Sequence, residues 1–258
     1  MVFVDVLGFE LATLVVVAAL LAYTSIMGLI SFRRRGSEGL RDTLRSSAPP
    51  LGLMGGLAVG LGGWGEIAWP LPGAYNILFA DVYLLLGIVL VSFAASVLIL
   101  AKLAYTGLLA ASVGAITVGY GVSAFQLGMT REPLVMLALF AGFGLVAMLT
   151  LPATLVADRM LSGEPWRASF RSSLGVARRT RVVSGMGRRA AQPMVPQATR
   201  ENEKESGAEP EAPAGTRFPI PLYATGIVLG LATLAVLAGI VAGFLLSGTI
   251  PAHLASPP

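Results

Sequence analysis

The stretch GGWGEIAWPLPGAYNILFAD, residues 62–81, closes a glycine-rich apolar run, carries a lone carboxylate at Glu66 and then turns through Pro70 and Pro72. Trp64, Trp69, Tyr75 and Phe79 crowd it, with Tyr83 just beyond. Indole and phenol rings have an apolar body and a polar tip, so they gather where hydrocarbon meets water. Proline lacks a backbone donor and cannot continue a helix, so the chain must turn or run extended here. Aromatics around a forced turn between two apolar runs mark the non-cytoplasmic end of a membrane protein.

Composition leads to the same class. Of 258 residues, 55% are apolar and 12% charged, against about 25% charged in an ordinary soluble domain. A mean hydropathy of +0.77 leaves too few polar groups to cover a water-soluble globule. The pI near 9.8 would point to nucleic acid, but the basic residues avoid the apolar runs, and no nucleic-acid partner is expected. There is no cysteine, which excludes disulfides, thiolate metal sites and cysteine nucleophiles. His253 is the single histidine, so the chain alone cannot supply the paired imidazoles of a haem or copper centre. No cofactor is expected.

Apolar runs cover residues 11–31, 51–69, 82–103, 107–129, 133–157 and 219–246. Each has about 20 residues or more, enough to cross a hydrocarbon core of about 30 Å. The expected fold is therefore an all-α bundle of about six transmembrane helices in the cell membrane, with lipid as its surroundings. Asp5 and Glu10 precede the first run and Arg33, Arg34 and Arg35 follow it. That order reads as an uncleaved first crossing with its N-terminus outside. Loops 32–50 and 158–218 and the turn near Lys102 then face the cytoplasm, and they hold all but Arg131 of the 18 Lys and Arg. The positive-inside rule is satisfied by six crossings and broken by five. Residues 1–157 form a five-helix region, 158–218 a cytoplasmic segment, and 219–258 the last helix with a short outer tail.

The run 51–69 is the least hydrophobic. Gly52, Gly56 and Gly60 recur every four residues, as do the pairs Gly226/Gly230 and Gly239/Gly243 in the last run. Small residues at that spacing flatten a helix face for close approach by another helix. Glycine also weakens helices, so a broken or re-entrant segment stays open as an alternative. The G-x-G-x-x-G at Gly60, Gly62 and Gly65 has no preceding strand and is read as accidental. In the 158–218 segment, Trp166, Phe170 and Leu174 fall on one helical face with Arg167, Arg171 and Arg178 beside them. That pattern suits a basic amphipathic helix on an anionic lipid surface.

The run WPLPGAYNILFAD, residues 69–81, in a six-run protein resembles the signature of an uncharacterised, mainly archaeal membrane-protein family catalogued as domain of unknown function 981. The resemblance covers residues 51–157 and implies no established activity. Among the residues themselves, Glu66, Asp81 and Glu10 are the candidate functional carboxylates. Glu66 is expected at the bilayer edge, either hydrogen-bonded to indole and backbone donors or acting as a proton or cation ligand. Asp81 is expected to cap the third helix. The Tyr120 face is read as packing between helices. No metal, nucleophile or phosphate motif appears, so an enzyme is the weakest class. A non-catalytic accessory subunit of a larger membrane complex, such as a respiratory terminal oxidase, fits best, with other membrane subunits as partners. The alternative is a small proton- or cation-coupled transporter using Glu66.

The charge pattern makes a direct prediction, and the absence of native cysteine gives it a clean background. Of single cysteines at Ser37, Ser206 and Ser256, an impermeant thiol reagent on intact cells should label the one at position 256 alone. Labelling at position 206 in sealed cells rules out the six-crossing topology.

Overall fold

The apolar runs dictate helices, since in hydrocarbon each backbone donor and acceptor must be paired within its own segment. The computed structural model describes residues 6–71, 73–129, 132–162 and 220–255. All of them fall in one compact unit, and every element is helical. Helix α1 covers Val6–Ala68, interrupted at Gly36. Helix α2 covers Ala74–Leu98, α3 Leu103–Gln126 and α4 Pro133–Ser162. Helix α5 covers Leu222–Ala255. All five are long and apolar enough to cross a membrane, and the chain is a multi-pass membrane protein. The amphipathic pattern at Trp166, Phe170 and Leu174 lies outside the described residues.

Gly36 turns α1 back on itself. Its φ of 65° and ψ of −146° are open to glycine and strained for any residue with a Cβ. The two arms, 6–35 and 37–68, then run side by side. A Cβ on Gly28 would sit 3.2 Å from Leu40 Cδ1, Thr43 Oγ1 donates to Ser31 Oγ at 2.9 Å, and Val17 shares a core cluster with Leu51. The loop expected over residues 32–50 is therefore helix. Its charges sit on the exposed side, including the Arg35–Asp42 pair at 3.1 Å, while Leu40, Leu44 and Ala48 are buried. Pro49 and Pro50 lie inside the second arm. The carbonyls they leave without an intrahelical donor, those of Arg45 and Ser46, belong to exposed residues, where other donors can reach them. The same arm is continuous to Ala68, so residues 51–69 are not a broken helix.

Close approach between backbones fixes the packing. A Cβ on Gly55 would lie 2.8 Å from Leu90 Cβ and 3.0 Å from Gly87 O, and one on Gly87 would lie 2.6 Å from Val59 N. Gly62 and Gly65 meet Leu84 and Ala80 in the same way, so the second arm and α2 are antiparallel. On α3, Gly107, Gly114 and Gly121 all face α4, and Gly114 and Gly144 cross backbone to backbone. The first arm carries α5, with Gly239 against Ala18 and Gly243 3.9 Å from Val15 Cγ2.

The four-residue glycine spacing is used within the chain at Gly239 and Gly243 on α5 and only in part elsewhere. Gly52 meets Ala94, but Gly56 and Gly60 have no atom within 4 Å, and neither do Gly226 and Gly230. Gly55 and Gly62 on the second arm, and Gly107, Gly114 and Gly121 on α3, recur every seven residues, the spacing of a seam between helices crossing at a shallow angle. The third run also begins earlier than expected, at Ala74, and the fifth ends later, at Ser162. Asp158 therefore belongs to α4, past the boundary expected at residue 157. Its Oδ1 and Oδ2 accept from Leu103 N and Ala104 N, each at 2.9 Å, and cap α3 from a neighbouring helix.

Gly55→Leu should drive α2 away and cost at least the ~1–3 kcal/mol of ordinary overpacking. Gly56→Leu, one residue on, should leave the stability of the isolated chain unchanged. Thermal unfolding in detergent compares them, and equal losses would contradict this packing.

Candidate functional site

The polar side chains collect at the end of the bundle where α1 gives way to α2. Trp69 breaks the helix at a φ of 47°, and Gly73 follows at 56°. A tryptophan held there is strained by about 1–2 kcal/mol, and Trp69 N donates to Gly65 O at 3.0 Å. The same carbonyl accepts a second bond, from Asn76 Nδ2 at 2.9 Å. Asn76 Oδ1 in turn accepts from Leu71 N at 3.4 Å. This amide is 0% exposed and ties both sides of the turn together. The sequence reading passed over it, although one amide in an otherwise apolar run is a signal in itself.

Asp81 does not cap a helix. It closes a widened turn, Ile77–Asp81, inside α2 and makes no capping bond. Such wide turns recur at functional sites. Its Oδ2 accepts from Tyr120 Oη on α3 at 2.7 Å, so the Tyr120 face is a carboxylate partner as well as a packing surface. The Glu66 side chain, from the second arm of α1, lies against Asp81. Glu66 Oε1 is buried with no hydrogen-bond partner, and no indole is bonded to it. The expectation of a carboxylate satisfied by tryptophan is thus replaced by a carboxylate pair. Two such groups side by side repel when both are ionised, and a shared proton or a cation between them relieves the repulsion.

Glu10 occupies a second position on the same end. It is 4% exposed, inside α1 rather than flanking it. Thr13 Oγ1 donates to the Glu10 carbonyl at 2.8 Å and is bonded to Tyr83 Oη on α2. Glu10 and Tyr83 line a cavity of about 60 Å³ with Leu11, Phe79, Thr117 and Phe140. The structure thus brings Glu66 and Asp81 together and places Glu10 apart from them. Among the described residues, no three acidic or histidine side chains gather as a metal-binding group. A larger cavity of about 140 Å³ lies between the helices and is lined chiefly by aliphatic side chains such as Val17, Leu90 and Val146.

Asn76→Ala leaves Gly65 O with one bond fewer and Leu71 N with none, and should cost about 1–3 kcal/mol. Tyr120→Phe removes one bond at a half-buried site and should cost less, about 0.5–1.5 kcal/mol. Unfolding in detergent orders the two, and the reverse order would contradict the role given to Asn76.

No curated protein and no solved structure matches the chain. A family model described as a protein of unknown function (DUF981) matches residues 1–178. The match extends beyond the expected residues 51–157 on both sides, taking in both arms of α1, and stops before α5. With both carboxylate positions and the Asn76 turn inside the matched region, the chain belongs to the DUF981 family.

Proposed function

We propose that the protein is a non-catalytic accessory subunit of a larger assembly in the cell membrane, with a respiratory terminal oxidase as a candidate host. The observation that carries this reading is a stripe on the second arm of α1. Gly56, Gly60 and Gly63 have no atom within 4 Å, and Leu53 and Ile67 on the same side are 70% and 88% exposed. An interior glycine costs a helix about 1 kcal/mol relative to alanine. The glycines facing α2 are explained by close approach within the chain, and those facing away are explained by a helix from another subunit. Gly226 and Gly230 offer a second small face on α5. We also read the two arms of α1 as separate crossings, which makes six with both termini outside.

A second reading is favoured by the Glu66–Asp81 pair and its Tyr120 bond. Two carboxylates in an apolar bundle suit a small proton- or cation-coupled transporter. Its substrate site would lie at the turn between α1 and α2.

Gly60→Leu separates the readings, since it meets nothing within the chain. Purified in mild detergent, the wild type should bring stoichiometric partner chains, identified by mass spectrometry, and the variant should lose them with its own thermal stability unchanged. A wild type that purifies alone, with a pH-dependent flux in proteoliposomes lost in Glu66→Gln, would overturn the subunit reading in favour of transport.

A further inference from the structure

The hydrogen-bond inventory around Glu10 is one-sided. A hydroxyl has a single proton to donate. Thr13 gives its proton to the Glu10 carbonyl, so the bond between Thr13 and Tyr83 must be donated by the tyrosine. Thr117, on the cavity wall with Tyr83, gives its proton to Val113 O at 2.9 Å. All three are spent. The rest of the wall is carbon, from Leu7, Leu11 and Leu14 on α1, Phe79 and Val82 on α2 and Phe140 on α4. Tyr83 is the only other titratable group lining the cavity, and no cation lines it. Among the described residues, the carboxylate of a residue that is 4% exposed therefore shares its cavity with hydroxyls whose protons are given elsewhere and with no cation.

An ionised carboxylate only accepts hydrogen bonds, whereas a protonated one donates. Among the described residues, no side chain lining this cavity is placed to donate to the ionised form, which bears the cost of a charge in apolar surroundings. The neutral form has somewhere to point its proton, because Tyr83 Oη keeps a free lone pair. We propose that Glu10 is a proton-binding site, separate from the Glu66–Asp81 pair and formed by the first arm of α1 against Tyr83 of α2. A divalent cation would need six or more oxygens, and the carboxylate with its neighbouring hydroxyls supplies fewer. This holds whether the protein acts as a subunit or as a transporter.

Dicyclohexylcarbodiimide tests it on the full-length protein in proteoliposomes. A protonated carboxyl adds across one C=N bond. Its proton passes to a nitrogen and its oxygen bonds to the central carbon. The acyl group then migrates from oxygen to nitrogen to leave a stable N-acylurea, with nothing lost. Peptide mass spectrometry of the wild type should place the adduct on Glu10. Labelling should fall about tenfold per pH unit once the group ionises and be indifferent to sodium or potassium. Infrared spectroscopy, which needs no reagent access, should show a neutral carboxyl band that vanishes in Glu10→Gln and bleaches with alkali in the wild type. Suppression of labelling by alkali cations at fixed pH would overturn the proposal in favour of a cation site. An ionised Glu10 in acid buffer by infrared would overturn it outright.

Discussion

Lipid tails are as apolar as leucine, so packing leucine on leucine inside a bilayer gains little, and helices are held by how closely they touch. The crossings at Gly55/Gly87 and Gly114/Gly144 meet that constraint, with main chain lying directly on main chain. Each places carbonyl oxygens against Cα atoms of the facing helix, where weak C–H contacts add to dispersion. The remaining packing follows from these two seams. The first joins the second arm of α1 to α2, and the second joins α3 to α4. The first arm of α1 links α2 to α5 through Tyr83 on one side and Gly239 on the other. Gly36 makes this possible, since without the fold-back the first arm could not reach α2.

The carboxylate chemistry at the turn between α1 and α2 is unbalanced in sign. Glu10, Glu66 and Asp81 are drawn there with no lysine or arginine bonded to them among the described residues, while Arg33, Arg34, Arg35 and Lys102 sit at the other end. The carboxylates are arranged in two different ways. Glu66 and Asp81 are half-buried and face each other, with Tyr120 fixing one oxygen. Glu10 is enclosed and faces hydroxyls already committed elsewhere. Asp81 and Tyr83 are two residues apart on α2, so one helix turn presents a different partner to each site.

The class of the fold was legible because hydrophobic length survives any error in detail. Runs of twenty apolar residues cannot be hidden by a shifted boundary. The local errors have identifiable causes. Arg33, Arg34 and Arg35 do close the first arm, but no loop follows: after Gly36 the chain is helix again, with Leu40 and Leu44 buried on the second arm. Glu10 was placed in a flank because charge was equated with exposure. The four-residue glycine spacing serves α5 at Gly239 and Gly243, whereas α3 uses seven, at Gly107, Gly114 and Gly121, which the four-residue pattern does not reveal. Glu66 and Asp81 could be nominated from their surroundings, but their pairing depends on the rotation of two helices about their axes, which periodicity leaves free. Asn76, Tyr83 and Asp158 were missed for the same reason, since each is defined by a partner distant in sequence or across a turn.

The cap on α3 carries a consequence for how the chain is assembled. Leu103 N and Ala104 N are satisfied by a carboxylate that lies 55 and 54 residues downstream. During synthesis α3 is complete long before Asp158 emerges, and until then its first amides have only water to turn to. That end of α3 must therefore wait at the membrane boundary rather than sink past it. The arrival of α4 exchanges water for Asp158 and zips the glycine seam beneath it in the same event. The α3–α4 hairpin is thus a unit that locks late, from the end where the ribosome last let go.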